Sequence, residues 1–190
     1  MFHETTGILH TIMSRRSIRH YRPDSVPRDL VETLLTAATW APSAHNRQPW
    51  RFCVVGQAAV KERLARAMSA RLRSDLEADG TPEAMIAADT GRSYARLTSA
   101  PLLIVLCLSM TDMDTYPDAR RANNEYLMAA QSTAMAAQNL LLAAHDLGLG
   151  ACWMCAPLFC PDTVQTALDL PDDWQPQALL TLGYPAETRE

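Results

Sequence analysis

The sequence predicts one domain of mixed helix and strand, α+β or α/β, and three observations carry that expectation. The chain has 190 residues, the size of one compact domain. The run Leu102–Leu108 (LLIVLCL) is apolar throughout, as expected of a strand buried on both faces. Residues 122–147 are small or apolar on most helical faces, as expected of a central helix.

The elements follow in order. A first helix is expected over residues 7–13, running into Arg15-Arg16-Ser17-Ile18-Arg19. A second starts near Pro27, a residue suited to a first helical position. Its stripe is Leu30, Leu34, Ala37, Ala38 and Ala41, and Pro42 ends it. Trp50–Val55 (WRFCVV) is a compact apolar run of strand type. A charged helix covers residues 58–78, with Leu64, Met68, Leu72 and Leu76 on one face. Asp79-Gly80-Thr81-Pro82 is a turn, and residues 83–100 read as helical or as irregular and mobile. After the Leu102–Leu108 strand, residues 109–119 form a polar loop. Gly148 stops the long helix. Gly150–Met154 is a third strand, Pro161–Leu168 a short helix and residues 177–182 a last strand.

Composition excludes several classes. An apolar fraction of 48% with 20% charged residues is ordinary for a globular chain and excludes wholesale disorder. No apolar run approaches the 20 or so residues of a membrane-spanning helix. The first ten residues lack a basic start followed by an apolar core, so no secretory signal is expected. Five cysteines, an odd number, fit a reducing cytoplasm. The net charge of −4 argues against a nucleic-acid binder. Residues 1–51 carry +3, however, and residues 52–190 carry −7. A basic zone on an acidic body suits a small anionic ligand.

Three constellations carry chemistry. In an extended Arg15–Arg19 stretch, Arg15, Ser17 and Arg19 point one way and Arg16 the other. Two guanidinium groups and a hydroxyl make a phosphate clamp; a solvated basic loop is the competing reading. The second constellation is Ala41-Pro42-Ser43-Ala44-His45-Asn46-Arg47-Gln48-Pro49-Trp50, a polar loop pinned by prolines. Asn46 and Gln48 each offer a donor and an acceptor, as reading a ring with alternating N–H and C=O groups requires. The third is Gly148-Leu149-Gly150-Ala151-Cys152-Trp153, whose glycines allow close backbone approach. It precedes a strand and is not a dinucleotide fingerprint.

Together these motifs resemble the nitroreductase family of FMN-dependent oxidoreductases. The likeness rests on RRSIR, on APSAHNRQPWRFCVV, on QNLLLAAHDLGLGACW and on LTLGYPAE, in the right order over nearly the whole chain. The short length and GLGACW look most like the flavin domain of F420-biosynthesis proteins and their small bacterial relatives. The resemblance implies a single α+β domain over residues 1–190, a three-layer α/β/α sandwich with a central mixed sheet, in an obligate homodimer. It also implies a site. Arg15 and Ser17 match contacts to the FMN phosphate and ribityl chain, with Arg16 counted among the cofactor-binding residues. Arg19 matches the basic residue at the N1/O2 edge, where negative charge accumulates on reduction. Family members often place lysine there; arginine keeps the charge and alters the tuning. Ser43 and Asn46 match positions that meet the isoalloxazine ring, with Gln48 beside them. Gly150 and Ala151 match the backbone segment near the flavin, and Arg189 a basic residue that closes on the phosphate. The implied pocket is shared by two chains.

The implied activity is ping-pong: NAD(P)H reduces FMN, which reduces an acceptor such as a nitro compound or quinone. The chemistry belongs to the cofactor and no side chain is assigned as catalytic; Arg19 acts as an electrostatic tuner. The alternative is a flavin- or F420-binding protein, whether sensor, carrier or F420-related reductase, without general nitroreductase turnover. No metal, membrane or nucleic-acid partner is expected. Cys152, Cys155 and Cys160 form a C-x2-C-x4-C pattern, but Cys152 and Cys155 face opposite sides of a strand, which favours burial over chelation. Tyr94, Met110, Met113 and Tyr116 are candidates either for the substrate side of the flavin or for packing. The tryptophans read as core or dimer interface.

Overall fold

A computed structural model describes residues 7–186. Six α-helices flank a four-stranded sheet: α1 (Ile8–Ser14), α2 (Arg28–Thr39), β1 (Trp50–Val55), α3 (Ala58–Ala78), α4 (Glu83–Ser99), β2 (Leu102–Leu108), α5 (Ala119–Asp146), β3 (Gly150–Met154), α6 (Pro161–Leu168) and β4 (Gln175–Gly183). Short 3-10 turns lie at Ala44–Asn46 and Ala156–Phe159.

The strand order is β1-β2-β4-β3, and every neighbouring pair is antiparallel. The parallel component of the sheet is the bridge from Ser17 to Ala151, on the outer edge of β3. That edge is thereby covered by the N-terminal segment. A register shift between Leu106 and Cys107 falls where Pro176, which has no N–H to give, stands opposite β2.

Alternation along β2 divides the core into two halves. Leu102, Ile104 and Leu106 pack with Leu180 and Leu182 beneath α2 and α5, through Leu34, Ala38, Ala136, Ala137 and Leu140. Leu103, Val105 and Cys107 face the other way, toward Leu64 and Met68 of α3, Leu97 of α4 and Val164 of α6. This is the three-layer sandwich, with β2 buried along its whole length. The alanines on α5 let it lie close to the sheet.

Residues 83–99 are a regular helix and not an irregular segment. Its end is fixed by Lys61, the chain's one lysine. The Lys61 ammonium is buried and donates to the Ala100 carbonyl at 2.6 Å and the Pro101 carbonyl at 3.4 Å. Burial lowers its pKa, and the carbonyls at the end of α4 are what hold the charge. α5 begins three residues before the expected start, at Ala119, where the Asp118 carboxylate accepts from the Arg121 N–H. No helix among the described residues is long and apolar enough to cross a membrane.

Candidate functional site

The arginine segment is built by the edge of β3. α1 ends at Ser14, and Arg15 turns the chain to an extended conformation at φ −56°, ψ 134°. The Ile18 N–H donates to the Ala151 carbonyl at 3.1 Å. Gly150 permits this approach, since a Cβ there would lie 2.8 Å from Ile18 Cβ. Ile18 is buried, while Ser17 and Arg19 are half-buried on either side of it in sequence.

Beside this bridge is a cavity of about 220 Å³, lined by Ser14, Arg15, Arg16, His145, Gly150 and Pro185 among others. The strict alternation expected for the arginines does not hold. Arg15 and Arg16 both line the cavity, because Arg15 is still the helix cap and the pleat begins only at Ser17. Arg16 folds back to donate to the carbonyls of Met13 (2.8 Å) and Arg15 (3.1 Å), near the end of α1. Arg19 lines a different groove of about 620 Å³, with His20, Arg92 and Arg96. Four residue steps separate Arg15 from Arg19, about 13 Å of extended chain.

Ser14 and His145 were not singled out by any motif. His145 lies in the last turn of α5, and its Nε2 is 2.8 Å from Ser14 Oγ. Ser14 gives its own proton to the His10 carbonyl at 2.7 Å. The imidazole therefore donates through Nε2, leaving Nδ1 as the acceptor nitrogen. Burial, then the charges of Arg15 and His10, push the imidazole below its ordinary range; Asp146 opposes them and Arg16 adds to them. Thr11 Oγ1 donates to Asp146 at 3.1 Å and ties α1 to α5 beside the cavity.

The polar loop after α2 is a separate structure. Ser43 is extended, and its Oγ accepts the Gln48 N–H at 3.0 Å. The Gln48 amide donates to Asn46 Oδ1 at 3.2 Å. His45, Asn46 and Gln48 all have positive φ, at 50°, 55° and 49°. Three non-glycine residues in the left-handed region within four positions concentrate strain at about 1–2 kcal/mol each. Tertiary contacts hold the loop in place. Ser132 Oγ accepts the Ala44 N–H at 3.2 Å, and Pro49 accepts the Ser109 N–H at 2.9 Å. Arg47 pairs with Asp114 at 2.5 Å and Arg51 with Asp112 at 3.2 Å. Asn46 and Gln48 stay exposed, and none of the loop's residues lines the Arg15 cavity.

Residues 12–184 match the Nitroreductase family. The chain belongs to that family. A 5,6-dimethylbenzimidazole synthase of Rhodospirillum rubrum is 34% identical over 91% of this chain and 79% of its own. An NADH dehydrogenase of Thermus thermophilus is 32% identical over 92% of this chain and 85% of its own. A crystal structure from Desulfovibrio desulfuricans, described as a nitroreductase in complex with FMN, superposes with a TM-score of 0.74 at 27% identity. The match covers 98% of this chain and 90% of that one.

Other residues of this nitroreductase-family chain are accounted for by packing. Met113 is buried with Leu108 and Ala129, Met110 packs against them, and Tyr94 packs on the α3 side of the sheet. The Arg121 guanidinium lies over the Tyr116 ring at 5.1 Å. Cys152 and Cys160 are buried as expected, but Cys155 is exposed against that expectation, because β3 ends at Met154 and Cys155 begins the turn that follows. Burial pushes the Cys107 thiol up to about 12 and raises those of Cys53 and Cys160, which keeps them protonated. Among the described residues, no group of three or more His, Cys, Asp or Glu is placed to hold a metal. Arg189 lies outside the described residues.

Proposed function

We propose that this chain is an FMN-dependent oxidoreductase that draws electrons from NAD(P)H and delivers them to a small acceptor, such as a nitro compound or quinone, by a ping-pong mechanism. The observation that carries the reading is the Arg15 cavity. The guanidinium groups of Arg15 and Arg16 meet beside a glycine-opened strand edge. That donor set fits a phosphomonoester dianion. The nitroreductase-type structure solved with FMN supports the same reading.

Bound FMN would supply the electron chemistry, accepting a hydride equivalent and passing two electrons onward. Arg15, Arg16 and Ser17 hold the phosphate and ribityl end, with Arg189 closing on it. Gly150 and Ala151 give the backbone face. Arg19 stabilises the ring edge as negative charge develops there. Ser43, Asn46 and Gln48 read the ring from a partner copy. Their separation from the Arg15 cavity supports a site shared across a homodimer. All five cysteines are unpaired, which supports a cytoplasmic setting, and the acidic body supports the absence of a nucleic-acid partner.

An absorbance scan under anaerobic conditions tests the proposal. The FMN-reconstituted protein should be yellow, bleach with NADH or NADPH, and regain colour when a quinone is added. A protein that takes up no FMN defeats it. The synthase relative motivates a second reading, in which the chain makes 5,6-dimethylbenzimidazole. Appearance of that compound during aerobic turnover, with no quinone-dependent reoxidation, would favour the second reading. A yellow protein that does not bleach would be a flavin binder without turnover.

A further inference from the structure

We infer that Glu125 of α5 is a positioning residue for flavin recognition: by fixing the 109–118 loop it sets the Ser43–Gln48 loop that reads the ring. The inference rests on the flavin reading above and adds to that site a residue that does not touch the cofactor.

Glu125 lies in the second turn of α5 and is buried. Its Oε1 accepts the Asp114 N–H at 3.2 Å. Its Oε2 has no hydrogen-bond partner among the described residues. A buried carboxyl group with one oxygen unfilled costs stability, and an apolar residue of similar volume would pack there at lower cost. Packing therefore does not account for Glu125; what it holds does.

Asp114 is held at two points. Its N–H is fixed by Glu125, and its carboxylate pairs with Arg47 at 2.5 Å. That pair is partly exposed, and such pairs contribute little when both partners have to be ordered for them. Anchoring Asp114 through its backbone removes part of that ordering cost. Met113, buried against Ala129, secures the apolar side of the same loop, but Glu125 fixes the residue that meets Arg47. Arg47 stands between Asn46 and Gln48, both at positive φ. Backbone strain of this kind persists only where its surroundings over-determine it. Two turns along the same face of α5, Ser132 Oγ accepts the Ala44 N–H at 3.2 Å. The Ser109 N–H to Pro49 carbonyl bond, at 2.9 Å, joins the two loops a second time. Both loops are thus fastened to one helix face and to each other.

Glu125→Met, Glu125→Gln and Thr133→Val test the link in the full chain. Methionine fills the volume without an acceptor, while glutamine keeps one. Thr133 is buried on α5 with its own hydroxyl unpaired among the described residues, so valine removes a second orphan group and leaves the link intact. Riboflavin lacks the phosphate and reports the ring contacts. Glu125→Met should weaken riboflavin and FMN by the same factor, about tenfold, and shift the visible bands of the bound flavin. Its thermal midpoint should hold or rise. Glu125→Gln should restore affinity and bands, and Thr133→Val should match wild type in both. Exchange of the Ala44 and Gln48 amides, read without flavin, should quicken about tenfold in Glu125→Met alone. Unchanged exchange in that variant overturns the inference, as does quickened exchange with unchanged riboflavin affinity. So does an equal loss of affinity in Thr133→Val. A midpoint that falls together with affinity in the Met and Gln variants alike would make Glu125 a structural residue only, and overturns it too. A wild-type chain that takes up neither riboflavin nor FMN removes the flavin reading and the ring role with it, while the exchange rates still decide whether Glu125 orders the loop.

Discussion

Arg15 is the residue whose loss should be felt first. It lines a cavity in which Arg16 is partly engaged by helix carbonyls, so in the proposed site the charge-assisted bond to the phosphate falls to Arg15. Arg15→Ala should cost about 1.5–3 kcal/mol of FMN binding, roughly tenfold to a hundredfold in Kd, read by fluorescence titration. Wild-type affinity in that variant would remove Arg15 from the phosphate site. Arg19→Gln should instead act on potential, lowering it because the reduced ring loses a neighbouring cation. His145 gives a pH dependence. Its folded pKa lies below the ordinary 6.5, so the unfolded chain takes up the proton first as the pH falls. Stability from this group is therefore intact above pH 6.5 and lost below it. His145→Gln should flatten the decline of the thermal midpoint between about pH 7 and pH 5. An anion in the cavity should also flatten it, by offsetting Arg15 and Arg16. A decline as steep in His145→Gln as in wild type would show that other groups set the acid limit.

At the scale of elements, the edge bridge is the device on which the site depends. Gly150→Ala would press a methyl group against Ile18 at 2.8 Å. Overpacking of this kind costs about 1–3 kcal/mol, so the urea midpoint should fall. FMN affinity should fall with it, because the same bridge sets the Arg15–Arg19 segment. A variant with unchanged midpoint and affinity would mean that Ile18 moves freely. The strands β1, β2 and β3 were legible in sequence because each is a short apolar run bounded by proline, glycine or polar residues. α3 was legible from its four-residue stripe. α4 was not, because its two buried hydrophobics, Ile86 and Leu97, are separated by small and polar residues. The first turn of α5 is masked by ARRANN, whose helicity depends on the Asp118 cap. The same distinction governs the site. RRSIR and the Ser43–Gln48 loop are contiguous and could be read directly. His145, Arg92 and Arg96 reach the RRSIR segment only through tertiary packing, across 70 or more residues of chain.

The whole molecule leaves much apolar surface open in a single protomer. Ile8, Leu9, Ile12 and Met13 of α1 are exposed, as are Trp40 after α2 and Leu127 and Met135 of α5. A groove of about 500 Å³ runs between these helices, lined by Ile8, Trp40, Asn139 and Leu142 among others. A second copy seated there would bury on the order of 2,000 Å² or more, as permanent dimers do. Sedimentation at low micromolar concentration should therefore show a particle of twice 21.0 kDa. Its dissociation should release flavin, since a single copy keeps its own arginine segment and Ser43–Gln48 loop apart. A 21 kDa particle that retains FMN would defeat the shared site and the roles proposed for Ser43 and Asn46.

The buried Lys61 turns the chain into its own reporter of local opening. A protease that cuts only after lysine has one target here, and that target is shut under the end of α4. Cleavage into fragments 1–61 and 62–190 requires the first turns of α3 to unwind and the Lys61 ammonium to leave the Ala100 carbonyl. When reclosing outpaces cutting, the digestion rate measures the population of that open form. Digestion with and without FMN then tells whether the cofactor steadies this end of α3 against α4.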